Sequence, residues 1–330
     1  NLTSGATFYV KVYVKDSNNR DSSVSATSLA TKNRTLVDYV KSLYTGTQGA
    51  NNIYYHDASL TNGAKDNSYR YAGANPNNYV CFGTNESTCP TDNLYRIIGV
   101  FGDNVKLIKY DYANSNLLGT DGDYSTDTFT KSSSSLYKGE LTTINRYKWN
   151  NSTQKNTWSE SNLNKVNLNT NYLNNIGTTW SNLIEDTTWK VSGHTNERVT
   201  PKEMYTAEIT NATKTYGPEN GTSKIGLMYV SDYEYAASND CWTLKTYVDN
   251  SPSTDYRSSF EKNWMYMGEG EWTLTTSSST TVYWITDDGY LRRDIVSGTN
   301  TSVRPVFYLS DDVGIIGEHT GSETDPYRLR

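Results

Sequence analysis

Histidine and cysteine are scarce in this 330-residue chain, which has 3 of each. Acid–base and nucleophilic chemistry lean on these side chains, so the composition points toward binding or structure rather than catalysis. Charge is thin as well, at 20% of residues with a net of −6. No Lys/Arg-rich stripe runs through the chain. That removes the electrostatic footprint of nucleic-acid binding and of attraction to an anionic membrane surface. No apolar run reaches bilayer-spanning length, so no membrane insertion is expected in this segment. No Gly-x-Ser-x-Gly elbow occurs, and no fixed-period repeat is visible. The chain opens on Asn1 without a signal peptide. A mature product or a piece of something longer is expected, with any sorting signal or anchor lying outside it.

What is abundant is Tyr, with 28 residues, alongside 8 Trp and many Asn, Ser and Thr. Disordered chains carry few aromatics and more charge, so a folded chain is expected. The hydrophobic fraction, 35%, is below the globular norm. Aromatic rings still build a core if each hydroxyl or indole N–H finds a partner. The length allows one large domain or two ordinary ones. Cys81 and Cys89 bracket a seven-residue turn-rich segment, which reads as a small disulfide loop in an oxidising compartment. A zinc site would need two more ligands, and Cys241 with three scattered histidines supplies them poorly. Cys241 is left as a buried or unpaired thiol, or an intermolecular bridge.

The N-terminus reads as strands over Thr7–Lys15 and Ser22–Thr27, with a turn over Asp16–Asp21. Leu36–Tyr44 carries apolar residues at helical spacing behind Thr35 as N-cap, with Gly46 just past its end. Leu94–Phe101 and Val105–Tyr110 flank Gly102-Asp-Asn104 and form the strongest hairpin signal. Asn114 to Asn164 reads as irregular. Short helices are expected at Leu168–Ile176, at Ser181–Glu185 and after Thr200, where Pro201 and Glu203 complete a capping box. Ile225–Ser231 reads as a buried strand. Short strands follow at Trp264–Met267, Glu271–Thr275, Val282–Thr286, Tyr290–Val296 and Val303–Leu309, with Asp287-Asp-Gly289 as a tight turn.

Three resemblances follow from these phrases. Leu2-Thr-Ser-Gly-Ala-Thr-Phe-Tyr-Val-Lys-Val-Tyr-Val-Lys15 resembles the end of a fibronectin type III or similar Ig-like domain, over about the first 29 residues. From Leu36 onward the chain resembles a large module of Firmicutes surface proteins that has no assigned activity. Its carrying phrases are Asn52-Ile-Tyr-Tyr-His-Asp57, Asp66-Asn-Ser-Tyr-Arg-Tyr-Ala-Gly73, Asn93-Leu-Tyr-Arg-Ile-Ile-Gly-Val-Phe101, Lys224-Ile-Gly-Leu-Met-Tyr-Val-Ser-Asp232, Val303-Arg-Pro-Val-Phe-Tyr-Leu309 and Gly321-Ser-Glu-Thr-Asp-Pro-Tyr-Arg-Leu329. Glu271-Trp-Thr273 and Val303-Arg-Pro305 are similar to the end of the C-type lectin-like and formylglycine-generating-enzyme fold. This implies two small helices on a twisted antiparallel sheet with long loops. The sugar-coordinating triplets of calcium-dependent lectins and the catalytic cysteine pair of the enzyme are both missing, so neither chemistry carries over.

The expectation is therefore an α+β chain. Residues 1–29 would be a partial β-sandwich segment, and residues 30–330 a C-type lectin-like recognition module. Asp121 and Asp123, with Asp111 and Asp127 nearby, read as turn chemistry rather than a calcium loop, and no metal or cofactor is expected. Glu269 and Glu271 share a strand face, as a glycosidase pair would, but read as ordinary acids. His56, His194 and His319 lack metal spacing and read as solvated or packed. Sequons at Asn85, Asn151, Asn211, Asn220 and Asn300 read as products of the Asn/Ser/Thr-rich composition. The best candidates for ligand binding are Trp242, Trp264, Trp284, Tyr290 and Arg292, since aromatic faces stack on sugars and anchor protein contacts. At least half of the rings are expected in the core, Trp272 first. The expected function is a non-catalytic adhesin-like head on a bacterial surface, extracellular, binding a glycan or a host or neighbouring-cell protein. The alternatives are a filament subunit assembled through residues 7–27 and a glycan-acting hydrolase.

Overall fold

The computed structural model describes residues 7–12, 15, 17–18, 25–30, 34–151, 155–210, 219–247 and 256–330. The architecture is mixed α+β, with many short strands, a few short helices and no closed barrel among the described residues. Thr7–Val12 and Ser25–Ala30 pair antiparallel as a two-stranded sheet of their own. Most of the expected Asp16–Asp21 turn lies outside the described residues, as does Asn211.

The main sheet is built around the hairpin Leu94–Phe101 and Asn104–Lys109. Val306–Leu309 adds to the Asn104–Lys109 strand, and Ile225–Gly226 extends that side. On the other side Leu94–Phe101 pairs with both Tyr79–Cys81 and Tyr69–Tyr71. The chain end Tyr327–Leu329 joins Tyr79–Cys81 in parallel. The Leu94–Phe101 strand is buried over all but its last residue, which explains its nearly continuous apolar run. Gly99 is required where the Tyr69–Tyr71 strand crosses it, since a Cβ there would stand 2.3 Å from the Tyr69 carbonyl oxygen.

Helix Leu36–Leu43 starts where expected, with Thr35 Oγ1 accepting the Asp38 N–H at 3.1 Å. Leu36, Val37 and Val40 turn inward. Pro201–Tyr205 starts with the expected capping box between Thr200 and Glu203 and runs on as a π turn over Thr206–Thr210. Such satisfied first turns are worth about 1 kcal/mol each.

Several elements differ from the sequence reading. Ile225–Ser231 is a strand only at Ile225–Gly226, and Val230–Ala236 is a helix buried along its whole length. A helix buried on every face shows no amphipathic period, so it reads as a buried strand. Within Asn114–Asn164, Tyr124–Thr130 pairs with Thr143–Tyr147 through an irregular register. The expected Leu168–Ile176 helix begins earlier, with π character over Leu163–Tyr172 before an α turn at Leu173–Ile176. The next turn is Thr178–Ser181 instead of Ser181–Glu185. Trp264–Met267 is a turn at Trp264 and Met265 followed by irregular chain rather than a strand. Among the described residues no helix is long and apolar enough to cross a membrane.

Candidate functional site

Trp242 and Trp264 do not face solvent, a correction to the sequence reading. Trp242 is 2% exposed, donates its indole N–H to the Ala237 carbonyl at 3.0 Å and packs on Tyr54, His56 and Tyr235. Trp264 is 3% exposed, donates to the Tyr71 carbonyl at 3.0 Å and covers the Arg96 guanidinium. Both rings satisfy their polar atom internally, which is the condition for burying Trp. Trp272 is fully buried, as expected.

The other three predicted residues do come together. Glu271–Thr276, Thr281–Ile285 and Leu291–Ile295 form a three-stranded antiparallel sheet. The expected turn at Asp287–Gly289 closes its second hairpin, with Gly289 at φ +80°. Trp284 stands directly opposite Arg292 across the ladder, so the two side chains share a face. Trp284 is half-buried against Gly270, and Arg292 is exposed, with its guanidinium 5.2 Å from the centre of the Tyr290 ring.

Cys81 and Cys89 form the expected disulfide. Cys241 is a buried free thiol, and burial pushes its pKa up to about 11. Among the described residues no group of three or more His, Cys, Asp or Glu is arranged to hold a metal. Asp123 is buried and accepts the Asn151 and Leu163 N–H groups, while Asp121 is exposed and accepts from Asn171. His56 is fully buried, with Nδ1 accepting the Ala64 N–H at 3.0 Å, and burial lowers its pKa well below the usual range. Glu269 pairs with Arg146, and Glu271 with Arg304.

The sequence reading missed a buried charged rung. Arg70 lies opposite Gly99, Gly99 opposite Lys106, and Lys106 opposite Tyr308, across four adjacent strands. Residues so aligned project to one face, and the missing side chain at Gly99 leaves a gap between the two cations. Asp232, from the first turn of Val230–Ala236, fills it. Its Oδ2 lies 2.5 Å from Lys106 Nζ and accepts the Tyr229 N–H at 2.9 Å, and its Oδ1 is 4.0 Å from Arg70 Nη1. Asp66 takes the other side of Arg70 at 2.6 Å, and that guanidinium holds the Asp66 carboxyl well below the usual range against the opposing effect of burial.

Aromatic rings enclose both cations. Phe101, Tyr205 and Tyr235 surround Arg70, and Phe101, Trp189, Tyr229 and Tyr308 surround Lys106. Gly226 admits the Trp189 ring, since a Cβ there would meet the indole at 2.6 Å. Beside them lies Glu208, fully buried, whose Oε1 accepts the Ser231 N–H at 3.3 Å and the Thr275 hydroxyl at 2.5 Å. Burial raises its pKa to about 7. A cavity of about 230 Å³ opens onto the group, lined by Lys106, Asp232, Ser231, Tyr205, Tyr229 and Tyr308 among others.

The chain matches no family model, no curated protein and no solved structure. Two places in the fold carry functional chemistry, the Trp284 face and the charged rung. The first offers an aromatic and cationic surface on a rigid sheet. The second places a buried amine, two carboxyls and hydroxyl groups beside one another at a small cavity. The sequence signal for the rung was Lys106 itself, a lysine inside the otherwise apolar Val105–Ile108 strand. Nothing local marked Glu208 or Asp232.

Proposed function

We propose that the chain is a non-catalytic recognition module of a bacterial cell surface, extracellular, and that it binds a glycan. The observation that carries this reading is the Trp284, Arg292 and Tyr290 group, which sets a half-buried indole and an exposed guanidinium on one rigid sheet. Aromatic faces stack on the apolar faces of sugar rings, and arginine supplies fixed donors for hydroxyl or carboxylate groups. The Cys81–Cys89 disulfide supports an oxidising compartment. The antiparallel three-stranded sheet around buried Trp272 supports a C-type lectin-like arrangement of the C-terminal third.

A glycan array with the intact chain tests this, run beside Trp284→Ala and Arg292→Ala. The expected result is selective retention of a sugar class, lost in both variants while thermal midpoints stay within a few degrees. Absence of any retained glycan, or retention indifferent to both variants, overturns the glycan reading and leaves a host or neighbouring-cell protein as the partner to test.

A second reading draws on the two-stranded sheet of Thr7–Val12 and Ser25–Ala30. An isolated pair of strands is marginal in water and offers two edges, which supports filament assembly by strand addition. Light scattering and electron microscopy of the intact chain against one lacking residues 1–29 test it. Oligomers formed only by the intact chain would support assembly, and monomers in both cases refute it.

A further inference from the structure

We propose that Lys106 and Asp232 become joined by an intramolecular isopeptide bond, with Glu208 as the proton carrier, so that the Val230–Ala236 helix is covalently fastened to the centre of the main sheet. The argument starts from separation. Lys106 Nζ lies 2.5 Å from Asp232 Oδ2, and both side chains are buried, at 1% and 3% exposure. Asp232 Cγ is one bond further, which brings amine and carbonyl carbon to about the 3–3.5 Å of a near-attack pair.

The Lys106 side chain is almost fully enclosed. Four aromatic rings close around Nζ, within 4.7 to 5.8 Å of it. Burial lowers the Lys106 pKa, toward the nucleophilic amine. A buried ion pair carries a desolvation penalty that its own attraction often fails to offset. Condensation removes both charges and leaves a neutral amide, while Arg70 keeps Asp66 as its counter-ion. The Tyr229 N–H, 2.9 Å from Oδ2, is placed to polarise the carboxyl as an oxyanion donor. Glu208 is held beside Asp232 through the Ser231 N–H, and its Oε2 has no hydrogen-bond partner among the described residues.

The atoms balance without an outside reactant. The Nζ–Cγ bond forms and the Cγ–Oδ1 bond breaks. The ammonium starts with three hydrogens. One stays on the amide nitrogen, and two leave with Oδ1 as water. Glu208 passes these protons and ends as it began. The adjoining cavity of about 230 Å³, which Lys106 and Asp232 both line, receives the water. Nothing is oxidised or reduced.

Intact mass spectrometry of the full, folded, disulfide-bonded chain tests the proposal directly. The expected mass is lower than that of the disulfide-bonded sequence by one water molecule. Peptide mapping should recover a branched peptide linking the Lys106 and Asp232 segments. Lys106→Met and Asp232→Ala should each restore the full mass, and Glu208→Gln should leave most of the chain unlinked. A wild-type chain at full mass overturns the proposal whether or not any variant folds. So does a water loss that maps elsewhere, for example to a succinimide at Asp121-Gly122 or Asp288-Gly289.

Discussion

Arg304 grips both carboxylate oxygens of Glu271, at 2.8 Å through Nε and 2.7 Å through Nη2, with both side chains almost fully buried. The arginine also donates to the Met265 carbonyl at 2.7 Å. The pair therefore ties the three-stranded sheet to the segment entering Val306–Leu309. Removing one member leaves a buried charge without its counter-ion, which costs about 3–5 kcal/mol. Glu271→Gln and Arg304→Met should each lower the unfolding free energy from urea denaturation by an amount in that range. A loss below about 1 kcal/mol in both would show that the pair contributes little.

Glu208 makes stability depend on pH. Its pKa is raised to about 7 in the folded chain by burial, above the ordinary glutamate value of 4.5 that the unfolded chain keeps. Between those values the folded state binds more protons than the unfolded one. This contribution is fully present below about pH 4.5 and is lost as pH rises through about 7, at up to about 1.4 kcal/mol per pH unit. Glu208→Gln cannot titrate, so in a Lys106→Met background, where no link can form, its urea midpoint should fall less across that window than that of the chain keeping Glu208. Parallel slopes for the two chains would remove Glu208 from the account.

The tryptophans should separate into two classes. Trp242→Ala and Trp264→Ala each empty a buried site and should cost about 3–5 kcal/mol. The second should cost more, since Trp264 also covers the buried Arg96. Trp284→Ala removes a half-buried ring and should cost less than either. Chemical denaturation of the three variants decides the order, and equal losses would show Trp284 to be as much a core residue as the others.

The Cys81–Cys89 bridge closes a short loop, with the cysteines 8 apart in sequence. Constraining a loop of that size in the unfolded chain is worth about 2–3 kcal/mol. A Cys81→Ala, Cys89→Ser double variant should show that loss by urea denaturation. An unchanged midpoint would mean that the surrounding sheet already holds the loop closed.

Much of the local structure could be read before any contact was known. Thr35 and Thr200 cap their helices as their side chains dictate, and the Gly102-Asp-Asn104 turn closes the hairpin around which the main sheet grows. These features follow from hydrogen bonds and steric limits within a few residues of one another. The disulfide loop belongs with them, since its spacing alone brings the two cysteines within reach.

The aromatic residues and the charged rung were decided elsewhere. Nothing adjacent to Trp242 or Trp264 in sequence distinguishes them from Trp284. Their burial comes from Ala237 and Tyr71, whose carbonyls satisfy the indoles, and from the rings packed around them. Arg70, Lys106, Glu208 and Asp232 come from four separate segments, and only strand register and the packing of one buried helix bring them together. Short-range propensity set the caps, the turn and the disulfide loop, while long-range burial chose which polar and aromatic side chains face inward and what they meet there.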